Sequence, residues 1–153
     1  LGEESKAERL VTKFNQKINM FSISEPRISA IILQPSAAGV GKISLLDDIF
    51  RAAGLTSLSG DHGIMGIGWL TLDRVIEARP EIIISDADPR WPSLGHQATR
   101  HPAYAAIRDK QGRIPSRVNL PTKLWNCGGP QVAKAVSILA EARATFLHQR
   151  ANQ

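Results

Sequence analysis

The residues best suited to chemistry gather in Leu124-Trp125-Asn126-Cys127-Gly128-Gly129-Pro130, which holds an aromatic side chain, the only cysteine and a Gly-Gly-Pro helix opening. It follows a short apolar run at 117–121 and precedes an amphipathic run from Gln131 to about His148, the pattern of strand, loop and helix. Loops just beyond the carboxyl ends of parallel strands are where open α/β sheets bind ligands. An exposed Trp, Gly-exposed backbone and a helix N-terminus together make half of a binding site. Cys127 also reads as a nucleophile whose thiol is activated by the helix N-terminus. That use needs a base and an orienting group nearby, which spacing along a chain does not reveal. A Cys127-dependent α/β enzyme is therefore the alternative to a binding role.

Other candidates are more dispersed. Trp69, Trp91 and Trp125 each fall in a loop after or between expected strands, and together at one sheet edge they would form a broad, partly apolar face for a ligand. His62, His96, His101 and His148 form no His-x-x-x-His pair, and no Asp, Glu or Cys cluster has metal-ligand spacing, so no metal site is expected. His62, in the Gly-rich Asp61-His62-Gly63, is the histidine placed to line a site, whereas His101 before Pro102 reads as a cap. Gly39-Val40-Gly41-Lys42 resembles the end of a phosphate-binding loop, but Ser36 and Ile43 stand where that motif needs Gly and a hydroxyl residue. Asp73 lies in a first helical turn, where the helix dipole favours an acid.

The 153 residues suffice for one domain with a core, and 42% hydrophobic with 22% charged residues is ordinary for a globular chain. No apolar run approaches the ~18 residues of a membrane span. The chain begins with Leu1 and reads as a processed or excised piece, so a missing signal peptide leaves the compartment open. The net charge of +5 is scattered; the longest basic cluster is Arg108, Lys110, Arg113 and Arg117, and no nucleic-acid-binding motif accompanies it. A single cysteine excludes an internal disulfide and a Cys-rich zinc site.

The elements that must position these residues follow from periodicity. Leu10, Val11, Phe14, Ile18 and Phe21 recur at helical spacing across a helix at 2–20. A buried strand is expected at 27–33, a loop at 34–41, and a helix capped by Ser44 through Ala53. Residues 58–68 read as irregular. Thr71 starts a helix at 72–78, followed by a strand at 81–85, a loop at 86–93, a helix at 101–108 and a strand near 117–120. The last helix carries Val132, Val136, Leu139 and Phe146 on one side. The alternation predicts an α/β, Rossmann-like three-layer sandwich around a mostly parallel sheet.

The run from Trp69 through Thr71-Leu72-Asp73-Arg74-Val75-Ile76 to Pro80-Glu81-Ile82-Ile83-Ile84 resembles a signature of the periplasmic iron-siderophore and cobalamin binding proteins of ABC importers. His101-Pro102-Ala103-Tyr104-Ala105-Ala106-Ile107 is similar to a helix of that family, and the Trp125 loop to a ligand-facing loop in one of its branches. The family has two α/β lobes joined by a long helix, with ligand between them. The resemblance implies that residues 1–22 are the end of that helix and 27–150 the C-terminal lobe, with the first lobe absent. It places Trp125, Asn126, Cys127, Trp69, His62 and Trp91 on ligand. It also places Asp73, where the family usually has Glu, against an Arg of the membrane permease. No cofactor is implied. The ligand would be a ferric siderophore or a corrinoid. The Trp125 loop contains no Arg to meet an anionic siderophore, which favours the corrinoid. Implied too are a periplasmic or membrane-anchored extracytoplasmic location, no nucleic-acid partner, and an apolar face on the first helix open to a second copy of the lobe.

Overall fold

The computed structural model describes residues 2–21, 26–34, 38–86 and 101–152. Its centre is β1 (Ile28–Leu33), apolar at every position but Ser29. Strand pleating sends alternate side chains to opposite faces. Ile28, Ala30 and Ile32 enter one core together with Ile82 and Ile84. Ile31 and Leu33 enter a second core with Ile83. Side chains that are apolar on both faces need cover on both, which is the condition for a parallel sheet.

That sheet has the order β3-β1-β5-β6, with β3 at Leu55–Ser57, β5 at Ile82–Ser85 and β6 at Ser116–Asn119. All three pairings are parallel; Ala30 stands opposite Ile82, which stands opposite Ser116. One face is covered by α2 (Leu45–Ala52) through Leu46, Ile49 and Phe50, and by the last helix, Val132–Ala151, through Val136 and Leu139. The Ser44 hydroxyl accepts the Asp47 N–H at 3.1 Å and closes the first turn of α2. The other face is covered by α3 (Leu58–Asp61), by Val75 and Ala78 of α4 (Leu72–Ala78), and by Tyr104 in the 3-10 turn Pro102–Ala106. The expected three-layer α/β sandwich is therefore the observed fold.

Several local expectations are corrected. The loop at 34–41 and the irregular 58–68 contain β2 (Ala38–Val40), β3's continuation into α3, and the approach to β4 (Ile67–Trp69). A helix at 101–108 is a 3-10 turn that stops at Ile107, which is extended. The first helix, α1 (Glu4–Asn19), buries none of its residues fully: Phe14 and Ile18 rest against the core, while Leu10 and Val11 stay exposed. The last helix, α5 by chain order, runs to Ala151, beyond the expected end at 148.

At the amino edge of the sheet, charge rather than apolar packing joins the elements. Glu81 accepts the Ser29 N–H and hydroxyl, both at 2.9 Å, and pairs with Arg150 of α5 at 3.2 Å. The buried Asp109 holds the Arg113 guanidinium at 2.7 Å, and Arg113 lies 5.6 Å from the Phe146 ring centroid. Arg108 and Arg117 donate to backbone carbonyls of the 3-10 segment. Three cations of the basic cluster are thus engaged within the fold.

Candidate functional site at the carboxyl edge

The chain runs from β1 outward to β3, then returns to place β5 on the other side of β1. The order reverses between β1 and β5, so the crevice beyond Leu33 and Ser85 is where this architecture receives ligands. β2 pairs antiparallel with β4, Ala38 opposite Trp69, Gly39 opposite Gly68 and Val40 opposite Ile67.

The glycine pair decides how this ribbon lies. A Cβ on Gly39 would sit 2.8 Å from Leu70 Cβ, and one on Gly68 would sit 3.1 Å from Ile64 Cγ2. Bare backbone therefore lies directly on Ile64 and Leu70, both buried in the second core. A Cβ on Gly41 would meet the Ile64 carbonyl oxygen at 1.9 Å, an approach only glycine permits. With its glycine side pressed down, the ribbon turns Trp69 and Ile67 outward, 73% and 78% exposed. Met65, 58% exposed, lies before Gly66, whose φ of +71° precedes β4, and Lys42 bridges beside it through bonds to Ile64 and Gly66. Ile67 and Met65 were not expected at the site. Their signal was the alternation Met65-Gly66-Ile67-Gly68-Trp69, a period-two pattern with glycine on one side.

The other expected residues are distributed as follows. His62 is half-buried at the end of α3, and its carbonyl accepts from Arg74 at 3.3 Å. Trp91, and with it His96 and Arg90, lies outside the described residues. Trp125 is not the exposed platform expected. It is 7% exposed and packs in the first core, because the 3-10 turn Thr122–Leu124 folds its N–H back to Thr122 and carries the indole inward. Its indole N–H has no partner among the described residues. That turn is anchored by the Thr122 N–H donating to Asp86 at 2.8 Å, which ties the loops after β5 and β6 together. Asn126 and Cys127 are exposed, and Gln131 donates to the Cys127 carbonyl at 2.9 Å. Gly129 and Pro130 border a cavity of about 250 Å³ with Leu10, Val11 and Phe14 of α1.

Asp73 stands on α4 in open solvent. Thr71 occupies the cap position of that helix, but its hydroxyl makes no cap bond. The Thr71 side chain beside the Asp73 carboxylate holds its pKa below the usual value against an opposing effect of burial, and the Asp73 and Arg74 N–H groups and the Arg74 charge add to this. Asp73 is therefore a fixed anion at neutral pH.

No group of three His, Cys, Asp or Glu among the described residues could hold a metal ion. Among the described residues no hydrogen bond joins the Cys127 thiol to a base. The only tyrosine, Tyr104, is buried, and burial pushes its pKa up. What the edge offers is an indole face with aliphatic neighbours, suited to a large apolar or π surface.

No family model matches the chain, and no curated protein matches it. Solved structures do. The periplasmic heme-binding protein RhuT of a Roseiflexus species is 20% identical with a TM-score of 0.70, over 95% of this chain and 58% of its own. The ABC-type Fe3+-hydroxamate transport protein of Saccharomonospora viridis is 19% identical with a TM-score of 0.71, over 93% of this chain and 50% of its own. The vitamin B12 binding protein BtuF of Vibrio cholerae is 11% identical with a TM-score of 0.71, over 94% and 54%. The chain spans between half and six-tenths of the length of these proteins, and its fold is that of one lobe of the periplasmic binding proteins of ABC import systems.

Proposed function

We propose that the chain is the second lobe of an extracytoplasmic binding protein that delivers a metal-chelate solute to an ABC permease, and that it carries out no bond chemistry of its own. The observation that supports this reading is the β2–β4 ribbon: pinned by glycine onto the core, it leaves Trp69 and Ile67 exposed, and in this reading they face the crevice where the strand order reverses. An exposed indole with aliphatic neighbours suits a macrocyclic chelate with a flat apolar face, a heme or a corrinoid, better than a compact anionic siderophore. Asn126 and Cys127, exposed beyond β6, form the opposite rim in this reading, and Trp69 takes the role first expected of Trp125. Asp73, exposed and ionised, is the permease contact. Among the described residues no base is bonded to Cys127 to support the enzyme alternative.

The test is a tryptophan-fluorescence titration of the complete two-lobed protein with hemin, vitamin B12 and a ferric hydroxamate. Saturable quenching by a macrocycle, lost in Trp69→Ala and kept in Asp73→Arg, is the expected result. Asp73→Arg should abolish most uptake while sparing affinity. Quenching by none of the three, or equal affinity in Trp69→Ala, defeats the assignment.

A further inference from the structure

Asp86 stands one residue beyond β5 and closes a gap that proline opens in the sheet. The β5–β6 pairing ends with Ser85 opposite Asn119, and beyond it the Leu120 N–H donates to the Ser85 carbonyl at 2.9 Å. Pro121 follows; it carries no N–H and cannot extend the ladder. The next donor, the Thr122 N–H, opens the 3-10 turn Thr122–Leu124, and the first donors of a helical turn have no partner within it. The half-buried Asp86 carboxylate accepts that N–H at 2.8 Å. A side-chain charge thus takes the place of the missing rung, in a bond stronger than one between neutral groups.

The Thr122 peptide passes this hold onward. Its carbonyl accepts the Trp125 N–H at 3.1 Å and the Asn126 N–H at 2.9 Å. Trp125 packs into the first core, and the next two residues, Asn126 and Cys127, are exposed. The exposed pair therefore has an apolar anchor in Trp125 and a charged one in Asp86, one peptide away from Asn126. Apolar packing is non-directional, whereas a hydrogen bond fixes an angle as well as a distance.

We infer that Asp86 is a positioning residue: acting through the Thr122 peptide, its carboxylate sets the orientation of the exposed Asn126–Cys127 segment relative to the sheet. Where that segment meets the solute, as in the binding role proposed above, the same bond governs affinity. That consequence rests on the binding role; the orientation itself does not.

The test uses Cys127 as its own reporter, since it is the only cysteine of the chain. A nitroxide spin label on Cys127 is read by electron paramagnetic resonance well below the melting temperature, in the chain and in its Asp86→Ala and Asp86→Asn variants, with Tm measured for each. Asp86→Ala removes the acceptor, while Asp86→Asn keeps an oxygen that accepts the Thr122 N–H. The label should be more mobile in Asp86→Ala and return toward the restrained spectrum in Asp86→Asn. In the complete two-lobed protein, without label, Asp86→Ala should weaken hemin or vitamin B12 binding about tenfold, the order expected when one hydrogen bond to a charged group is lost. Asp86→Asn should recover most of that affinity. A label equally restrained in Asp86→Ala overturns the inference and leaves Trp125 as the sole anchor. Unfolding of Asp86→Ala, or mobility that only tracks a fall in Tm, overturns it too. A loosened label with unchanged macrocycle affinity overturns the link to the solute. If the unsubstituted protein binds neither macrocycle while the label still loosens in Asp86→Ala, the positioning role stands and the solute reading falls.

Discussion

Trp69 and Trp125 lie beyond the carboxyl ends of the same sheet, and the fold treats them oppositely. Trp69 is 73% exposed and Trp125 is 7% exposed. The Trp69 segment is a strand of a two-stranded ribbon whose backbone bonds fix alternate faces, so with Gly68 on the inner face Ile67 and Trp69 point out. The Trp125 segment is a 3-10 turn running into a helix, where nothing imposes alternation and the indole folds onto the nearby core. The richer collection of reactive residues is in the second segment, yet the first presents its aromatic to solvent. Side-chain type nominates a residue for contact, and backbone pairing decides whether it is available.

The sharpest way to break this comparison is to truncate both indoles. Trp125→Ala should cost about 3–5 kcal/mol of stability, as expected for a large aromatic removed from a core. Trp69→Ala should stay within about 0.5 kcal/mol, the range of exposed substitutions. Urea unfolding measures both, and comparable losses would contradict the opposite placements. Trp125→Phe sharpens the point: it removes a buried N–H with no partner among the described residues but replaces the indole by a smaller phenyl ring, so the loss should be smaller than for Trp125→Ala.

Next in size is the glycine side of the ribbon. Gly41→Ala drives a methyl group into the Ile64 carbonyl and should destabilise by about 1–3 kcal/mol. It should also shift the Trp69 emission maximum, since the ribbon must lift to make room. An unchanged spectrum and midpoint would mean that the close approach does not hold the ribbon down.

The amino edge supplies a contrast in kind. Burial works to raise the Asp109 pKa, but bonds from the Arg113 side chain and the Arg113 and Gln111 N–H groups outweigh it and hold the pKa below 3.8. A carboxyl group whose pKa is depressed by folding contributes stability that is fully present above its unfolded value and is lost as pH falls through the folded one. The urea midpoint should therefore decline from about pH 5 downward, and Asp109→Asn should flatten that decline while lowering the midpoint at pH 7. A decline of equal steepness in the variant would assign acid sensitivity elsewhere. Smallest of all should be Leu10→Ser on α1, within about 0.5 kcal/mol by urea unfolding of the chain, because that side chain is largely solvent-exposed.

Much of the fold was legible because it rests on periodicity. The runs Ile28–Leu33 and Ile82–Ser85 are apolar at nearly every position, and the 3.6-residue stripes of α2 and the last helix predicted the layers that cover them. The three-residue strands were not legible. β2, β3 and β4 are too short to show a period against Gly-rich neighbours, and they exist because longer elements hold their edges in place. His101 was legible as a cap, and its ring nitrogen accepts the Ala103 N–H at 3.2 Å. Thr71 was legible as the N-cap residue and stands at that position, but its hydroxyl makes no cap bond.

The sequence by itself determined the layered α/β architecture and the edge at which a ligand would be received, because hydrophobic periodicity and strand alternation are local properties of the chain. Only the tertiary structure decided which tryptophan is exposed. The direction of a loop side chain depends on what lies beneath its backbone, and here that is Ile64 and Leu70 under two glycines in one loop and a complete core beneath Trp125 in the other.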